Sequence, residues 1–531
     1  MTKEEIVISY LKILNEKNKI PAYSDFIVKG ISKDKIKYHY GNIISLHEYM
    51  TENHSNEIES VVLTEHSVFS HVKTSQLKDD LKKYKKFVIT TVVSDKQVNI
   101  LFYQSIKSYC EKNNAKLICI PAQDSVSRRA GISYSFAPIL RDESFIFEDT
   151  RLNENLFISS IKLSAKHIKP ITGLSRIGQR NGSYIFASPK QFLEYVISSV
   201  EEDCIPHAIM TTGALTVNDY QNERYMSDRT SYIAENDHIC GAIVVEIENK
   251  KKYHFRQIQS DENGSFVDLS KQYSSDGSVI GIESTLVLGD LHAGEHDENA
   301  IKSTLKLIRD LNIKDIVVHD SFSGYSISHY DVNSPHKKAL KAMNNQHSFH
   351  DEIKVGVSLL NKFLSEISGN IYRVMGNHDE WFNRYLERAG YINDPVNHYD
   401  ALEYAKLYLD GEEPLKHAYS KFMRTDDFNR IVFLRREDSY KVGGIELAQH
   451  GDLGLNGARG SLAGAERAYG DCVIGHNHSA AIFRGVFRVG TLTRMKLGYN
   501  VGPSNWTATN CLVYSNGSRQ LVSFIGGKYT I

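Results

Sequence analysis

Five stretches of the sequence each combine a short apolar run with carboxylate, carboxamide or imidazole side chains directly after it. These stretches are STLVLGDLHAGEH (Asp290, His292), DIVVHDSFSG (Asp320), YRVMGNHDEW (Asn377, His378), GIELAQHGD (His450) and DCVIGHNHS (His476, His478). A set without thiolates suits manganese, iron or zinc better than magnesium. Two such ions about 3.5–4 Å apart can clamp both oxygens of an in-line displacement at phosphorus. Asp320 is the natural bridge, because one carboxylate can give an oxygen to each ion.

Each stretch taken singly also has an ordinary structural explanation. Gly376 followed by Asn377 after a strand is common turn chemistry, since both residue types accept left-handed backbone geometry. However, all five stretches place their polar residues at the end of a strand-like run. In an open α/β architecture such ends gather at one edge of a sheet, where sites form. The repeated pattern therefore favours one shared site over five unrelated turns.

The motifs in this order resemble the calcineurin-like metallophosphoesterase superfamily over roughly residues 281–500. The resemblance implies a four-layer β-sandwich flanked by helices and a centre with two divalent ions, most simply Mn²⁺. By motif, one ion would be held by Asp290, His292, Asp320 and His478, and the other by Asp320, Asn377, His450 and His476. His378 would act on the phosphate or protonate the leaving oxygen without binding a metal. One departure is His319, which stands where the family usually has glycine.

The chain divides by pattern into three predicted parts. Residues 1–60 have helical spacing with a Pro-containing break, which predicts a small helix-turn-helix-like module. Residues 61–280 begin with a β-α-β pattern, KFVITTVV to AKLICIPA, and predict an α/β domain whose role the sequence does not specify. Residues 281–531 form the predicted metallophosphoesterase domain. The overall fold class is therefore α/β.

Basic residues in the first two parts are candidate contacts to nucleic acid. The helical module carries Lys33, Lys35 and Lys37, in a stretch that resembles small DNA-binding repeats of phage and homing endonucleases. Two predicted loops carry the arginine pairs Arg128, Arg129 and Arg176, Arg180. A solvated lysine face on a packing cap and ordinary exposed loop arginines explain the same residues without a ligand.

Bulk composition restricts the class of protein. The net charge of −1 gives no global attraction to nucleic acid or anionic membranes, and a local basic face stays open. The six cysteines are scattered without a Cys-x-x-Cys pair, which fits a reducing compartment. The sequence shows neither a signal peptide nor a bilayer-spanning apolar run, so we expect a cytoplasmic protein without a membrane partner.

Together these features predict a metal-dependent deoxyribonuclease with DNA as its partner. The resemblance is to the nuclease branch, similar to double-strand-break repair exonucleases, and the whole chain is similar to phage early DNases that degrade host DNA in the host cytoplasm. Two alternatives stay open, a phosphomonoesterase or nucleotide phosphodiesterase, and a DNA-binding regulator with a degenerate phosphoesterase domain. The sequence also leaves open whether the chain forms a homo-oligomer. The additional histidines His329, His336, His347 and His350 are expected to be solvated or structural.

Overall fold

A computed structural model of the chain describes most of its residues. The described residues are 2–17, 21, 23–41, 43–53, 67–68, 80–123, 134–164, 167–197, 206–220, 228–331, 334–497, 500 and 502–530. Their α-helices are α1 (Lys3–Lys17), α2 (Tyr23–Val28), α3 (Lys33–Tyr40), α4 (Ile43–Asn53), α5 (Ile100–Lys112), α6 (Ser175–Asn181), α7 (Asp228–Asn236), α8 (Glu298–Leu311), α9 (Pro335–Met343), α10 (Phe349–Leu364), α11 (Asn377–Glu387), α12 (His398–Leu409), α13 (Pro414–Phe422), α14 (Thr425–Phe428) and α15 (Leu462–Tyr469).

The strands belong to several sheets, which makes the fold a mixed α/β one. They are β1 (Ser67–Val68), β2 (Lys86–Val93), β3 (Ala115–Ala122), β4 (Ser135–Phe136), β5 (Ser144–Phe145), β6 (Thr150–Asn153), β7 (Leu156–Ser159), β8 (Ser183–Phe186), β9 (Phe192–Val196), β10 (His207–Thr211), β11 (Gly241–Ile247), β12 (Tyr253–Gln259), β13 (Phe266–Asp268), β14 (Lys271–Tyr273), β15 (Val279–Gly281), β16 (Ser284–Val287), β17 (Asp315–His319), β18 (Ile371–Val374), β19 (Ile431–Leu434), β20 (Lys441–Val442), β21 (Ile445–Glu446), β22 (Cys472–Ile474), β23 (Ala481–Phe483), β24 (Val486–Arg488), β25 (Thr509–Tyr514) and β26 (Arg519–Ser523).

A six-stranded sheet in the order β19-β18-β17-β16-β25-β26 carries three of the five motif stretches. Its strands β16 to β19 are parallel, while β25 and β26 are antiparallel to their neighbours. Helices α8, α10 and α11 cover one face, where Leu307, Phe363 and Phe382 join a large apolar cluster with the strands. Because β16, β17 and β18 run in one direction, their carboxyl ends lie at the same edge.

A ten-stranded sheet carries the remaining two motif stretches and runs across the predicted boundary at residues 280 and 281. Its order is β20-β21-β22-β24-β23-β9-β10-β8-β7-β6. The joining pair is β9 with β23, where Phe192 pairs with Phe483 and Leu193 with Ile482. The backbone hydrogen bonds of this antiparallel pair make the two segments one sheet, so the boundary does not separate independent sheets. The division into three domains otherwise stays a prediction.

The sheets share an apolar core. Val317 and Val374 of the six-stranded sheet are buried in the same cluster as Val473 and Phe487 of the ten-stranded sheet. A five-stranded sheet, in the order β12-β11-β2-β3-β5, contributes Ile89 and neighbouring side chains to that cluster. Within it, β2 and β3 are parallel and α5 connects them, as the β-α-β pattern predicts.

The first four helices, α1 to α4, enclose a small core of their own. Ile6, Tyr10, Phe26, Ile36 and Leu46 are fully buried in it. Among all described helices, none has both the length and the hydropathy to cross a membrane.

Candidate metal centre

The five motif stretches bring their polar residues to one place. Asp290 and His292 follow β16, Asp320 directly follows β17, and Asn377 is the first residue of α11 after β18. His450 follows β21, and His476 and His478 follow β22, so these three approach from the other sheet. Asp290, His292, Asp320, His450 and His478 are almost completely buried, while Asn377 and His476 are half-buried.

One group of potential ligand atoms surrounds His292. Its Nε2 lies 3.0 Å from His478 Nε2, which in turn lies 3.2 Å from Asp290 Oδ2. Asp320 Oδ2 is 3.7 Å from the same His292 nitrogen. These side chains include a triad, Asp290, His292 and His478, whose ligand atoms are mutually close enough to hold a metal ion.

A second group lies on the other side of Asp320. His450 Nε2 is 3.1 Å from Asp320 Oδ2 and also 3.1 Å from Asn377 Oδ1. The same Asn377 oxygen lies 3.1 Å from His476 Nδ1. The two groups therefore meet at a single atom, Asp320 Oδ2. Asp290, Asp320 and His450 form a further group whose ligand atoms are mutually close enough to hold a metal ion, so the assignment of the residues to two separate ions stays a prediction.

The unsatisfied polar atoms of this region fit a metal. Asp290 Oδ1 and Asp320 Oδ1 are buried oxygens without a hydrogen-bond partner in the described part of the chain. Leaving a buried charged oxygen unpaired is costly, because the group loses its hydration without compensation. A donor set of carboxylate, carboxamide and imidazole groups suits a divalent transition ion. The chain can thus hold a metal here.

Backbone geometry at the ligands is unusual. Four of the seven adopt positive φ values, namely 41° at His292, 43° at Asp320, 76° at His476 and 59° at His478. A side chain in this left-handed region costs about 1–2 kcal/mol relative to the right-handed one. Such conformations persist where the surrounding structure fixes them, and they concentrate at functional sites. The sequence gives no signal for this strain.

Gly376 and Gly475 are required for a steric reason. Gly376 has φ −104°, an ordinary value, so the expectation of a left-handed glycine turn before Asn377 is wrong. A Cβ at Gly376 would instead overlap Asp320 Oδ1, and one at Gly475 would overlap Asp290 Oδ1. Both glycines leave the space that the two buried carboxylates occupy.

A buried ion pair fixes the loop before α11. The Arg373 guanidinium is fully buried on β18 and donates to Asp379 Oδ1, while the Gly376 N–H donates to Asp379 Oδ2 at 2.9 Å. Arg373 Nε also donates to Ser321 Oγ at 2.6 Å, one residue beyond Asp320. This network connects the strand end, the first turn of α11 and the Asp320 loop.

His378 faces the centre without joining the two groups above. Its ring lies 4.5 Å from the His292 ring at an angle of 74°. Its Nδ1 is within hydrogen-bonding distance of the Ser323 carbonyl oxygen. Because a carbonyl only accepts, Nδ1 carries the hydrogen, and Nε2 remains for a substrate or an ion. His378 is also close enough to His292 and Asp320 to complete a third possible ligand group, so its exclusion from the ligand shell stays a prediction.

His319 fills the position where the resembling family has glycine. Its ring is fully buried, 5.5 Å from the His450 ring, and neither ring nitrogen has a hydrogen-bond partner in the described chain. Burial, together with the neighbouring His450, lowers the pKa of His319 to about 4. The ring sits opposite Gly475, where a side chain would crowd it. The neutral imidazole therefore acts as packing behind the ligands.

The residues predicted to contact nucleic acid differ in how the structure places them. Lys33, Lys35 and Lys37 are exposed on α3. Arg176 and Arg180 are exposed too, but their predicted loop is the short helix α6, which packs against β9 and β10. The sequence misled here because Gly178 and Gly182 indicated a loop. Arg128 and Arg129 lie outside the described residues.

Sequence reasoning missed the aromatic surroundings of the centre. Trp381 packs on His378 with ring centroids 4.0 Å apart, and Trp506 contacts His478 at 4.3 Å. His329, expected to be solvated or structural, lies 5.2 Å from Trp381. A usable signal existed, since Trp381 lies two residues after the Gly-Asn-His-Asp motif. His350 is structural as expected, with Nε2 2.8 Å from Tyr404 Oη.

Substituting Gly376 by alanine tests the steric role of this glycine. The added methyl group competes with Asp320 Oδ1 for the same space, so Gly376→Ala should bind less than half the manganese of the unchanged protein. The matched control is Gly281→Ala, because nothing lies within 4 Å of a Cβ at Gly281. Elemental analysis after gel filtration measures both. Equal metal content in the two variants would contradict the assignment.

Metal binding should also depend on pH in a defined direction. Burial opposes a charge on His450, but the carboxylates of Asp320 and Asp290 outweigh it and raise the pKa of His450 to about 9. A metal must displace this proton, so Mn²⁺ affinity should rise by about tenfold per pH unit between pH 6.5 and 8. Calorimetry in buffers of different ionisation enthalpy should detect close to one proton released. A pH-independent affinity would refute this.

The chain was compared with protein-family models, curated proteins and solved structures. No family model and no solved structure matches it. It is 26% identical over 488 residues to Protein A1 of Escherichia phage T5, a match that covers 85% of this chain and 84% of that protein. The chain is therefore similar to a bacteriophage protein over most of both lengths, which is consistent with a phage origin.

Proposed function

We propose that the chain is a divalent-metal-dependent deoxyribonuclease that hydrolyses DNA phosphodiester bonds at a two-metal centre. The observation that carries this is the convergence of seven ligand-type side chains from five strand ends, with His292 and His450 on either side of Asp320 Oδ2 at 3.7 and 3.1 Å. One ion would be held by Asp290, His292, Asp320 and His478. The other would be held by Asp320, Asn377, His450 and His476. Mn²⁺ suits this nitrogen and oxygen donor set.

Two packed sheets with helices on an outer face support a calcineurin-like metallophosphoesterase layering for residues 281–531. The ligands lie where the ends of strands from both sheets meet, which is where such a centre needs them. In this proposal, β9 and its neighbours extend the second sheet with strands from the middle of the chain.

The proposed chemistry assigns distinct tasks to the residues. When bound, the two ions supply Lewis-acid stabilisation for the attacking and leaving oxygens of the displacement at phosphorus. Asp320 lies between the two ligand groups, so its carboxylate would be shared by both ions. The His378 imidazole is oriented by its Nδ1–H bond to the Ser323 carbonyl, so that Nε2 can carry a proton to the leaving oxygen.

Two further observations support DNA as the substrate. The relative is a phage protein, and a phage product acting on host DNA would work in the host cytoplasm. The exposed lysines Lys33, Lys35 and Lys37 on α3 offer phosphate contacts, which dominate affinity for duplex DNA. Whether the chain forms a homo-oligomer stays open.

The direct test is hydrolysis of DNA by the purified full-length chain with Mn²⁺. Linear and circular duplexes should both be offered, because product lengths then separate exonuclease from endonuclease action. We expect cleavage that EDTA abolishes and that Asp320→Ala reduces to background, since both ions lose a shared ligand. Hydrolysis of mononucleotides without cleavage of DNA would select a phosphomonoesterase or nucleotide phosphodiesterase instead. DNA binding without metal or hydrolysis would select a regulator.

His378→Ala should separate proton transfer from metal binding. If His378 acts on the substrate, both ions remain bound while the rate of DNA cleavage falls by about 10²–10⁴-fold, as for a lost general acid. An aryl phosphodiester with a good leaving group should be less affected, because its leaving oxygen needs no proton. His350→Ala serves as a control at a histidine outside the centre. Loss of metal in His378→Ala would place His378 in the ligand shell.

Charge reversal on α3 tests the DNA contact. The triple variant Lys33→Glu, Lys35→Glu, Lys37→Glu should weaken binding to duplex DNA and lower the slope of log K against log salt by about one unit for each lost phosphate contact. The matched control reverses Lys82, Lys83 and Lys85, which are also exposed. An identical salt dependence in both triple variants and the unchanged chain would remove α3 from the interface.

A further inference from the structure

Both tryptophans of the chain pack against histidines of the metal centre. The sequence contains only Trp381 and Trp506. Trp381 is tilted by 32° to the His378 ring, with ring centroids 4.0 Å apart, whereas Trp506 meets the His478 ring edge-on, at 4.3 Å and 71°. Each indole is half-buried, so part of it stays accessible beside the centre. Phosphodiester chemistry by itself uses no indole, and this placement therefore needs another explanation.

Trp381 belongs to a continuous aromatic ledge, which we define as His329, Tyr330 and Trp381. The His329 ring lies 4.0 Å from Tyr330 and 5.2 Å from Trp381, and the two larger rings are 5.8 Å apart. Tyr330 is 74% exposed although it packs on two other rings. The ledge thus begins at His378, next to the ligands, and ends at an aromatic ring in solvent.

The helix that carries Trp381 also places positive charge beside the ledge. Asn377, Trp381, Arg384 and Arg388 follow one another at spacings of three and four residues, which puts them on one face of α11 and its C-terminal cap. This row extends about 16 Å from the metal centre. Arg384 forms an ion pair with Glu380, with Nη2 3.1 Å from Oε2. Arg388 is exposed and has no ion pair within the described residues. Burial, and after it the charges of both arginines, lower the pKa of His329, which belongs to the ledge.

Accessible aromatic rings next to arginine side chains match a nucleotide whose base is not paired. Every nucleobase has a π-face that stacks on aromatic rings, and arginines beside it neutralise the adjoining phosphates. The bases of an intact duplex are stacked inside the helix and cannot reach such a ledge.

We infer that the aromatic ledge stacks an unpaired nucleobase next to the scissile phosphate, so that the substrate is single-stranded DNA or a duplex with an unpaired end. This inference rests on the proposed nuclease function and adds to it the strand state of the substrate. Trp381 and Tyr330 would be specificity-determining residues that touch the base, and Arg384 and Arg388 would contact the backbone that follows.

Tryptophan fluorescence can test this inference directly, because one substitution leaves a single tryptophan in the chain. Trp506→Phe leaves Trp381 as the sole indole, and Trp381→Phe leaves Trp506. Titration of the Trp506→Phe chain with a thymidine oligonucleotide, in EDTA to prevent cleavage, should quench the emission of Trp381 to saturation. An abasic oligonucleotide of equal length keeps the phosphates and lacks the bases, and it should quench far less. Equal quenching by both oligonucleotides would overturn the inference, since backbone contacts would then suffice.

A second variant, Tyr330→Ala, tests the inference without relying on the emission of Trp381. Tyr330→Ala alters an exposed ring and should raise the Kd for the thymidine oligonucleotide by about 5- to 100-fold, the range for loss of one base–aromatic stack. The Kd for a closed, fully paired hairpin should change by less than twofold. Tyr399→Ala is the matched control, because Tyr399 is 84% exposed on α12. An unchanged oligonucleotide Kd in Tyr330→Ala would overturn the inference.

The outcomes also separate this inference from the nuclease proposal. DNA cleavage by a chain whose Trp381 emission does not respond to the oligonucleotide leaves the nuclease standing and removes the ledge as a base site. Base-dependent quenching without any cleavage supports the ledge as a binding site for single strands and rejects the nuclease. If the ledge only holds the His378 ring, Tyr330→Ala lowers kcat with both Kd values unchanged, which also rejects base stacking.

Discussion

The buried carboxylate of Asp320 is the group on which the site depends. Its Oδ2 faces imidazoles from both sheets, His292 at 3.7 Å and His450 at 3.1 Å, while its Oδ1 lies against Gly376 without a hydrogen bond. Such a charge is stable inside a protein only when compensating groups surround it. The burial of Asp320 therefore requires the ligand side chains to converge, and this convergence determines where the five strand ends must lie.

The residues that surround this charge include several in strained backbone conformations, and the rest of the fold must hold them there. His292, Asp320, His476 and His478 are held at positive φ, and each would relax to an ordinary conformation in an isolated peptide. The loops are fixed by backbone bonds between them, such as the His292 N–H donating to the Asp320 carbonyl at 2.8 Å. Behind them, the apolar cluster shared by the sheets keeps the strand ends in register. The packed core thus holds these residues in the strained conformations that the site requires.

The middle of the chain contributes to this arrangement through the sheet itself. His450, His476 and His478 follow strands of the ten-stranded sheet, and β9 continues that sheet beyond β23. Gln257, buried on β12, donates to the carbonyls of Phe192 and Thr211 at 3.1 and 2.8 Å, which ties the five-stranded sheet to the same strands. The segment before residue 281 is therefore part of the support of the site, a role that its own residue pattern did not indicate.

The sequence by itself determined the candidate ligand types and their order, because each candidate follows an apolar run that predicts a buried strand, whereas their division between two ions stays a prediction. It also determined the β-α-β start of the middle segment, since that pattern depends on local periodicity. Only the tertiary structure decided the rest. The exclusion of a side chain at Gly376, the strained ligands, the sheet across the predicted boundary and the ledge beside His378 all depend on contacts between residues far apart in the chain. The local sequence does not indicate such contacts, because steric overlap and strand pairing arise only when the chain is packed.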